Sequence, residues 1–235
     1  GKSNWLDALA VNLFKLHGWS FCLCSPENWP VQRHAASIIE KVVGKPFAPS
    51  RGLVERMRPE EMEYALGQMD GTFNFIMLSD DDMTLDTILS KVRAAIFRHG
   101  CKGVVLDPWN ELEHNRPAGL SETEYISQAL SKVRRFARIN DVHVWIVAHP
   151  TKLQKDKDTG EYPVPTLYDI SGSAHWYNKS DNGITIYRHM EADLTDIYVG
   201  KIRFREVGQR GKATLAYCRE DGTYHEQGKA YEERY

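Results

Sequence analysis

The chain has 235 residues, 42% of them hydrophobic and 26% charged, with a net charge of −2 at neutral pH. That length suits one domain whose core needs neither disulfides nor a structural metal. The charge excludes a uniformly basic nucleic-acid binder but permits a local basic lining, because steering depends on where charges sit. The four cysteines, Cys22, Cys24, Cys101 and Cys218, show no metal-ligand spacing and read as reduced core residues. Neither a membrane span nor a signal peptide is read, so a cytoplasmic protein without a membrane partner is expected.

Gly1-Lys2-Ser3 leads straight into a helical pattern, which is the form of the second half of a phosphate-binding loop. There, backbone N–H groups and the lysine ammonium hold phosphate oxygens, and the serine hydroxyl faces magnesium. The glycine and strand that open such a motif are not in the sequence, which suggests a trimmed or incomplete chain. Alone, the three residues more often mark a plain helix N-terminus with a lysine nearby, and the acidic and polar residues that follow reverse that preference. Trp5, Leu6, Leu9, Ala10, Leu13 and Phe14 recur at helical spacing up to His17, and Gly18 ends the helix.

Trp19 to Cys24 reads as an apolar strand halted by Ser25-Pro26-Glu27-Asn28, which puts Glu27 at a strand's C-terminal end. A helix with Val31, Ile38, Ile39 and Val42 follows, then a loop from Gly44 to Arg58, a short helix from Pro59 and a strand from Phe73 to Leu78. The Asp80-Asp81-Asp82 run is expected to cap a helix from Thr84 to Arg98. Gly103 to Asp107 is continuously apolar up to its terminal carboxylate, as suits a central parallel strand buried on both faces. Ser121 and Glu124 form a capping box for a helix to Ile139, and Val142 to Ala148 is a strand ending at His149-Pro150. The polar stretch Lys152 to Tyr168 is long enough to suggest a functional loop. Strands at Gly183–Arg188, Ile197–Phe204 and Ala213–Cys218 complete the chain. The expectation is an α/β fold, a mostly parallel sheet flanked by helices with an antiparallel C-terminal extension.

In an open parallel sheet, ligands sit outside the carboxyl ends of the strands. Phosphoryl transfer to water needs a lysine and magnesium on the phosphates, a carboxylate for the metal and a group that activates the water. Lys2 and Ser3 meet the first need, Asp107 the second and Glu27 the third, with His149 at the same edge to contact the terminal phosphate. Each residue has a plainer reading: Asp107 as a cap, Glu27 as a solvated strand end, His149 as a structural histidine. Trp109 and Trp176 are expected to pack. Lys201, Arg203 and Arg205 alternate with Ile202 and Phe204, the pattern of an exposed strand face.

The succession GKSN, SPEN, GVVLD, VWIVAHPTKL, YDISGSAHWYNKSDNGI and VGKIRFRE resembles the RecA-like P-loop ATPase domain of hexameric replicative helicases, the group of the DnaB type, phage primase-helicases and Twinkle. The resemblance implies a single such domain over residues 1–235. It makes Glu27 the catalytic glutamate and His149 a phosphate sensor, with Lys201 and Arg203 reaching the neighbouring subunit's site. Nucleotide contacts fall to Gly1, Lys2, Ser3, Asn4 and Asp107, with Ser3 and Asp107 on magnesium. Lys152, Lys155, Lys157, Ser171, Gly172 and Ser173 would face single-stranded DNA. The implied cofactors are ATP, or another NTP or dNTP, and Mg2+. The implied partners are single-stranded DNA, further copies in a ring, expected to be a hexamer, and a primase domain or subunit. The source expected is bacterial, phage or mobile-element replication machinery. Asn178 stands where many relatives have glutamine. A RecA-type recombinase or regulator that does not unwind, and an ATP-incompetent DNA-binding or interaction fragment, remain open beside the helicase.

Overall fold

The computed structural model describes residues 1–48, 55–78, 83–112, 116–158, 160, 162–171, 174–189 and 191–226. In chain order the elements are α1 (Lys2–His17), β1 (Phe21–Cys24), α2 (Val31–Val43), α3 (Pro59–Met69), β2 (Phe73–Phe75), α4 (Leu85–His99), β3 (Gly103–Leu106), α5 (Glu122–Asn140) and β4 (His143–Ile146). After these come α6 (Ala174–Lys179), β5 (Asn182–Arg188), β6 (Leu194–Ile202), β7 (Gly211–Tyr217) and β8 (Tyr224–Glu226). The first four strands form a parallel sheet ordered β2-β1-β3-β4, and the last four form a separate antiparallel sheet ordered β5-β6-β7-β8.

Alternation along the central strands sorts the core into two layers. Phe21 and Leu23 of β1 and Val105 of β3 face α1, α2 and α3, where Leu6, Ala10, Val11, Ile38, Ile39 and Ala65 pack. Cys22, Cys24, Val104 and Leu106 face the other way, onto Ile88, Val92, Ile126, Val133 and Phe136 of α4 and α5. Residues of β1 and β3 are buried throughout, as expected of strands covered on both faces. Gly103 begins β3 because the space above it is taken: a Cβ there would lie 2.3 Å from two carbons of the Phe21 ring.

Some boundaries differ from expectation for visible reasons. Asp80-Asp81-Asp82 lies outside the described residues, and the cap of α4 is Thr84, whose hydroxyl accepts the Thr87 N–H at 3.2 Å. The capping box at Ser121 and Glu124 is present as expected. β2 stops at Phe75 because it is an edge strand; one more bond, from the Ile76 N–H to the Leu23 carbonyl, follows before Met77 is exposed. β6 ends before Arg203, whose N–H turns to the Asp181 carbonyl. All four cysteines are buried and free of disulfides.

Between the two sheets runs a groove of about 1460 Å³, lined on one side by β4 and on the other by Ile184, Ile186, Val199, Ile202 and Phe204. β4 forms the edge of the parallel sheet there, and its residues are exposed or half-buried where those of β3 are buried. Among the described residues no helix is long and apolar enough to cross a membrane.

Candidate nucleotide site

The site is built at the carboxyl edge of the parallel sheet. β1 runs into the turn Pro26–Asn28, which carries Glu27; β3 delivers Asp107 as its next residue; and β4 leads through Val147 and Ala148 to His149. Helix α1 begins at Lys2 with no acidic residue in its first turn, so the partial positive charge of its N-terminus is not met by a carboxylate of its own. Leu6, Ala10 and Val11 anchor it in the core, and Gly18 closes it in the left-handed conformation at φ 64°.

These side chains meet. The Ser3 hydroxyl hydrogen-bonds the Asp107 carboxylate. The Lys2 ammonium lies 3.3 Å from Nδ1 of His149, and Nε2 of His149 lies 3.9 Å from a Glu27 oxygen. A lysine ammonium can only donate, so Nδ1 accepts and the neutral imidazole carries its proton on Nε2, toward Glu27. The His149 backbone N–H donates to Asn110 Oδ1 at 3.3 Å, which ties it to the loop after Asp107. Asp107 is only 3% exposed, and burial pushes its carboxyl up against the lowering effect of the Ser3 hydrogen bond. Burial likewise lowers the Lys2 ammonium, opposed by attraction to Asp107 and Glu27. Glu27 and His149 stay open, with side chains 45% and 46% exposed. The edge therefore offers a buried carboxylate, a half-buried serine hydroxyl and lysine, and an exposed histidine and carboxylate.

The other expected residues lie elsewhere. Asn4 sits one residue beyond Ser3 in α1, with its Oδ1 buried and unpartnered. Lys201 corrects the reading of an exposed strand face: it is 8% exposed, donates to the carbonyls of Tyr177 and Ser180, and lies over the Tyr177 ring at 4.6 Å. Arg203 donates to the carbonyls of Asn178 and Ser180 and pairs with Asp181 at 2.6 Å. The C-terminal end of α6 thus holds both cations. Lys152, Lys155 and Lys157 are exposed, with Lys155 over the Tyr162 ring. Ser171 donates to Glu122 at 3.1 Å, while Gly172 and Ser173 lie outside the described residues. Trp109 and Trp176 pack edge to face with centroids 5.3 Å apart, each 5% exposed. The sequence reading gave no role to Asn110, whose contact with His149 joins two loops, and motif spacing carries no trace of it.

No family model matches the chain. Among curated proteins it is 44% identical over 232 residues to the Twinkle homolog protein, chloroplastic/mitochondrial, of Arabidopsis thaliana, covering 95% of this chain but 32% of that protein's length. Among solved structures, an isolated ATPase domain of the DnaB-like helicase group superposes with a TM-score of 0.72 at 20% identity, over 94% of this chain and 80% of that one. A DnaB-like replicative helicase, described in its interactions with primase, gives 0.75 at 20% identity over 96% and 56% of the two chains. The fold is that of a DnaB-like helicase ATPase domain. The RadB recombinase shares the RecA-like layout less closely, at a TM-score of 0.56 and 15% identity over 95% of this chain and 86% of that one. Within the helicase-type fold, the parallel sheet is the RecA-like core, and the antiparallel sheet follows it in the chain. The chain spans about a third of the length of the curated relative, so the similarity speaks for this part alone.

Proposed function

We propose that this chain is the motor part of a replicative DNA helicase, hydrolysing a nucleoside triphosphate to move single-stranded DNA through a ring of like subunits. The observation that carries the reading is the meeting of Lys2, Ser3, Glu27, Asp107 and His149 at one sheet edge, with Ser3 hydrogen-bonded to a buried Asp107. Supporting it are the identity to the Twinkle homolog and the better superposition on helicase ATPase domains than on the recombinase.

ATP, or another NTP or dNTP, is the substrate, its phosphates held by Lys2 and by the N–H groups opening α1 from Gly1 through Asn4. The donor set fits magnesium: a hard cation takes oxygen ligands, and Asp107 is a buried carboxylate in contact with a hydroxyl and lacking a full countercharge. Ser3 and Asp107 would hold the ion, which when bound supplies charge to the phosphate oxygens. Lys2 exchanges its contact with His149 for phosphate. Glu27, exposed and not hydrogen-bonded to Lys2 or His149, orients and deprotonates the attacking water. His149, released from Lys2, contacts the terminal phosphate and passes its departure to the following loop, where Lys152, Lys155, Lys157 and Ser171 meet DNA phosphates. Lys201 and Arg203 leave α6 to complete a neighbour's site. A hexamer, a primase partner and Gly172 and Ser173 as DNA contacts belong to the same reading. The Twinkle homolog is named for chloroplasts and mitochondria, so an organelle fits this part better than the bacterial, phage or cytoplasmic setting.

The test is steady-state NTP hydrolysis by the complete protein with and without single-stranded DNA, for wild type and Glu27→Gln. Stimulation by DNA is expected, with kcat lower by about 10²–10⁴-fold in the variant and nucleotide affinity retained. Hydrolysis by Glu27→Gln at the wild-type rate would remove Glu27 from the chemistry. A wild-type protein that hydrolyses but never displaces a strand from a forked duplex would make it a non-unwinding member of the fold.

A further inference from the structure

Beneath the N-terminal helix lies a buried cluster that the proposed chemistry does not use. Asp7, on the turn of α1 after Ser3, is 8% exposed and takes a 3.0 Å hydrogen bond from Nε2 of His34 on α2, itself 5% exposed. The His34 ring stands edge-on to Phe75, with centroids 5.4 Å apart. Lys41, further along α2, is 2% exposed and donates to the carbonyl and hydroxyl of Ser37 at 3.2 and 2.9 Å. Asp7, Glu40 and Asp221 supply the charges that attract it, while burial lowers its ammonium.

The third side of the cluster is the turn between β7 and β8. Asp221 is fully buried there and accepts from the Thr223 N–H and hydroxyl at 2.9 and 2.6 Å. Gly222 has φ +70°, and a Cβ on it would lie 2.8 Å from Lys41 Nζ and 3.2 Å from Asn4 Nδ2. The turn therefore lies against the side-chain ends of Lys41 on α2 and Asn4 on α1, which would have to shift to admit a Cβ.

Three elements therefore converge on one polar joint. They are the helix that opens with Lys2 and Ser3, the helix that follows the Glu27 turn, and the sheet whose β6 carries Lys201. Buried polar contacts add little net stability over an apolar filling of the same shape, but unlike apolar packing they admit few alternative registers. We infer that Asp7, His34 and Lys41 are positioning residues for the nucleotide site, fixing α1 against the Glu27 segment and against the C-terminal sheet. The inference deepens the proposed function and rests on it for its catalytic consequence. A misplacement of about 1 Å at a reacting centre costs on the order of a hundredfold in rate.

The experiment compares His34→Leu, His34→Gln and Lys41→Met in the complete protein, reading Tm, kcat and KM for NTP hydrolysis, and amide exchange over Lys2–Asp7. Removing one buried partner lowers Tm in His34→Leu and Lys41→Met whatever the role of the cluster. Positioning predicts in addition, at temperatures where each variant is folded, a kcat lower by about tenfold to a hundredfold with KM within about twofold, and exchange in the first turns of α1 that speeds more than in the rest of the chain. His34→Gln, which keeps a donor for Asp7, recovers most of the rate. A fall in Tm with kcat unchanged and no excess exchange in α1 would overturn the inference and leave the cluster as a stability element. Should His34→Leu fail to fold, Lys41→Met decides by the same criteria. Should wild type hydrolyse no NTP, the proposed function fails, and exchange in the first turns of α1 that rises beyond the loss of global stability then decides by itself whether the cluster fixes α1.

Discussion

Replacing Gly103 with alanine tests the packing that sets the two central strands side by side. The new Cβ would sit 2.3 Å from both Cδ1 and Cε1 of Phe21. That ring is 1% exposed, stacked on Phe73 with centroids 5.7 Å apart and tilted against Trp145 at 6.0 Å, so it cannot turn aside without moving its neighbours. Overpacking of this kind costs about 1–3 kcal/mol. Against it stands about 0.5–1 kcal/mol from the smaller conformational freedom of unfolded alanine. A 2.3 Å approach to a locked ring belongs to the upper part of the overpacking range, about 2–3 kcal/mol, so the net loss is about 1–2.5 kcal/mol, which lowers Tm by about 2–10 °C in a chain of this size. Urea unfolding followed by tryptophan fluorescence measures it, with Gly200→Ala as control, because a Cβ there meets only the Gly183 carbonyl at 4.0 Å. The control should lie within about 1 kcal/mol of wild type, on the stable side. In a Phe21→Leu background the Gly103 penalty should shrink, since the clashing ring is gone. A Gly103→Ala protein as stable as wild type would refute the argument that this contact fixes the strand spacing.

Two further predictions turn on charge. Burial raises the Asp107 carboxyl, so the folded chain holds that proton more tightly than the unfolded one, and stability is lost as pH rises through the unfolded value toward the folded one. Asp107→Asn should therefore melt above wild type at neutral pH, converge with it below about pH 4, and lose stabilisation by magnesium and nucleotide; a lower Tm than wild type at neutral pH would contradict this. Asp196 has the opposite sense. It is 2% exposed, and although burial would raise it, bonds from Lys212, Thr214 and His189 at 2.8, 2.6 and 2.9 Å hold its carboxyl well below the usual range. Its contribution is present above about pH 4 and lost as pH falls through the depressed value. Asp196→Asn should cost about 1–3 kcal/mol at neutral pH and flatten the acid limb of a Tm-against-pH curve; an acid limb identical to wild type would exclude Asp196 as its source.

Much of the fold was legible because its signals are local. The apolar period of α1, the unbroken run of β3 and the capping box of α5 each lie within one stretch, and each element is close to where that stretch placed it. Helix α6 and strand β8 escaped because they are short and polar, held by α5 and β7 more than by their own pattern. At the site, Glu27, Asp107 and His149 were readable as polar residues ending apolar runs. The Asp7–His34 bond was not, since its partners stand 27 residues apart on different helices. Lys201 misled for a related reason: alternation reports which face of a strand it occupies, but not that α6 would bring carbonyls down over that face.

The edge of β4 bears on how any kinetic result should be read. A strand end with half-buried Val144, Trp145 and Ile146 beside an apolar groove is a template for another strand, and two copies could pair there with no nucleotide involved. Activity that steepens with protein concentration is the signature of a site shared between subunits, and stacking through β4 would imitate it. The two separate by their dependence on nucleotide: a ring closed around a shared phosphate tightens when nucleotide is added, whereas sheet-to-sheet stacking is indifferent to it. Sedimentation with and without nucleotide therefore belongs beside every rate measured on this chain.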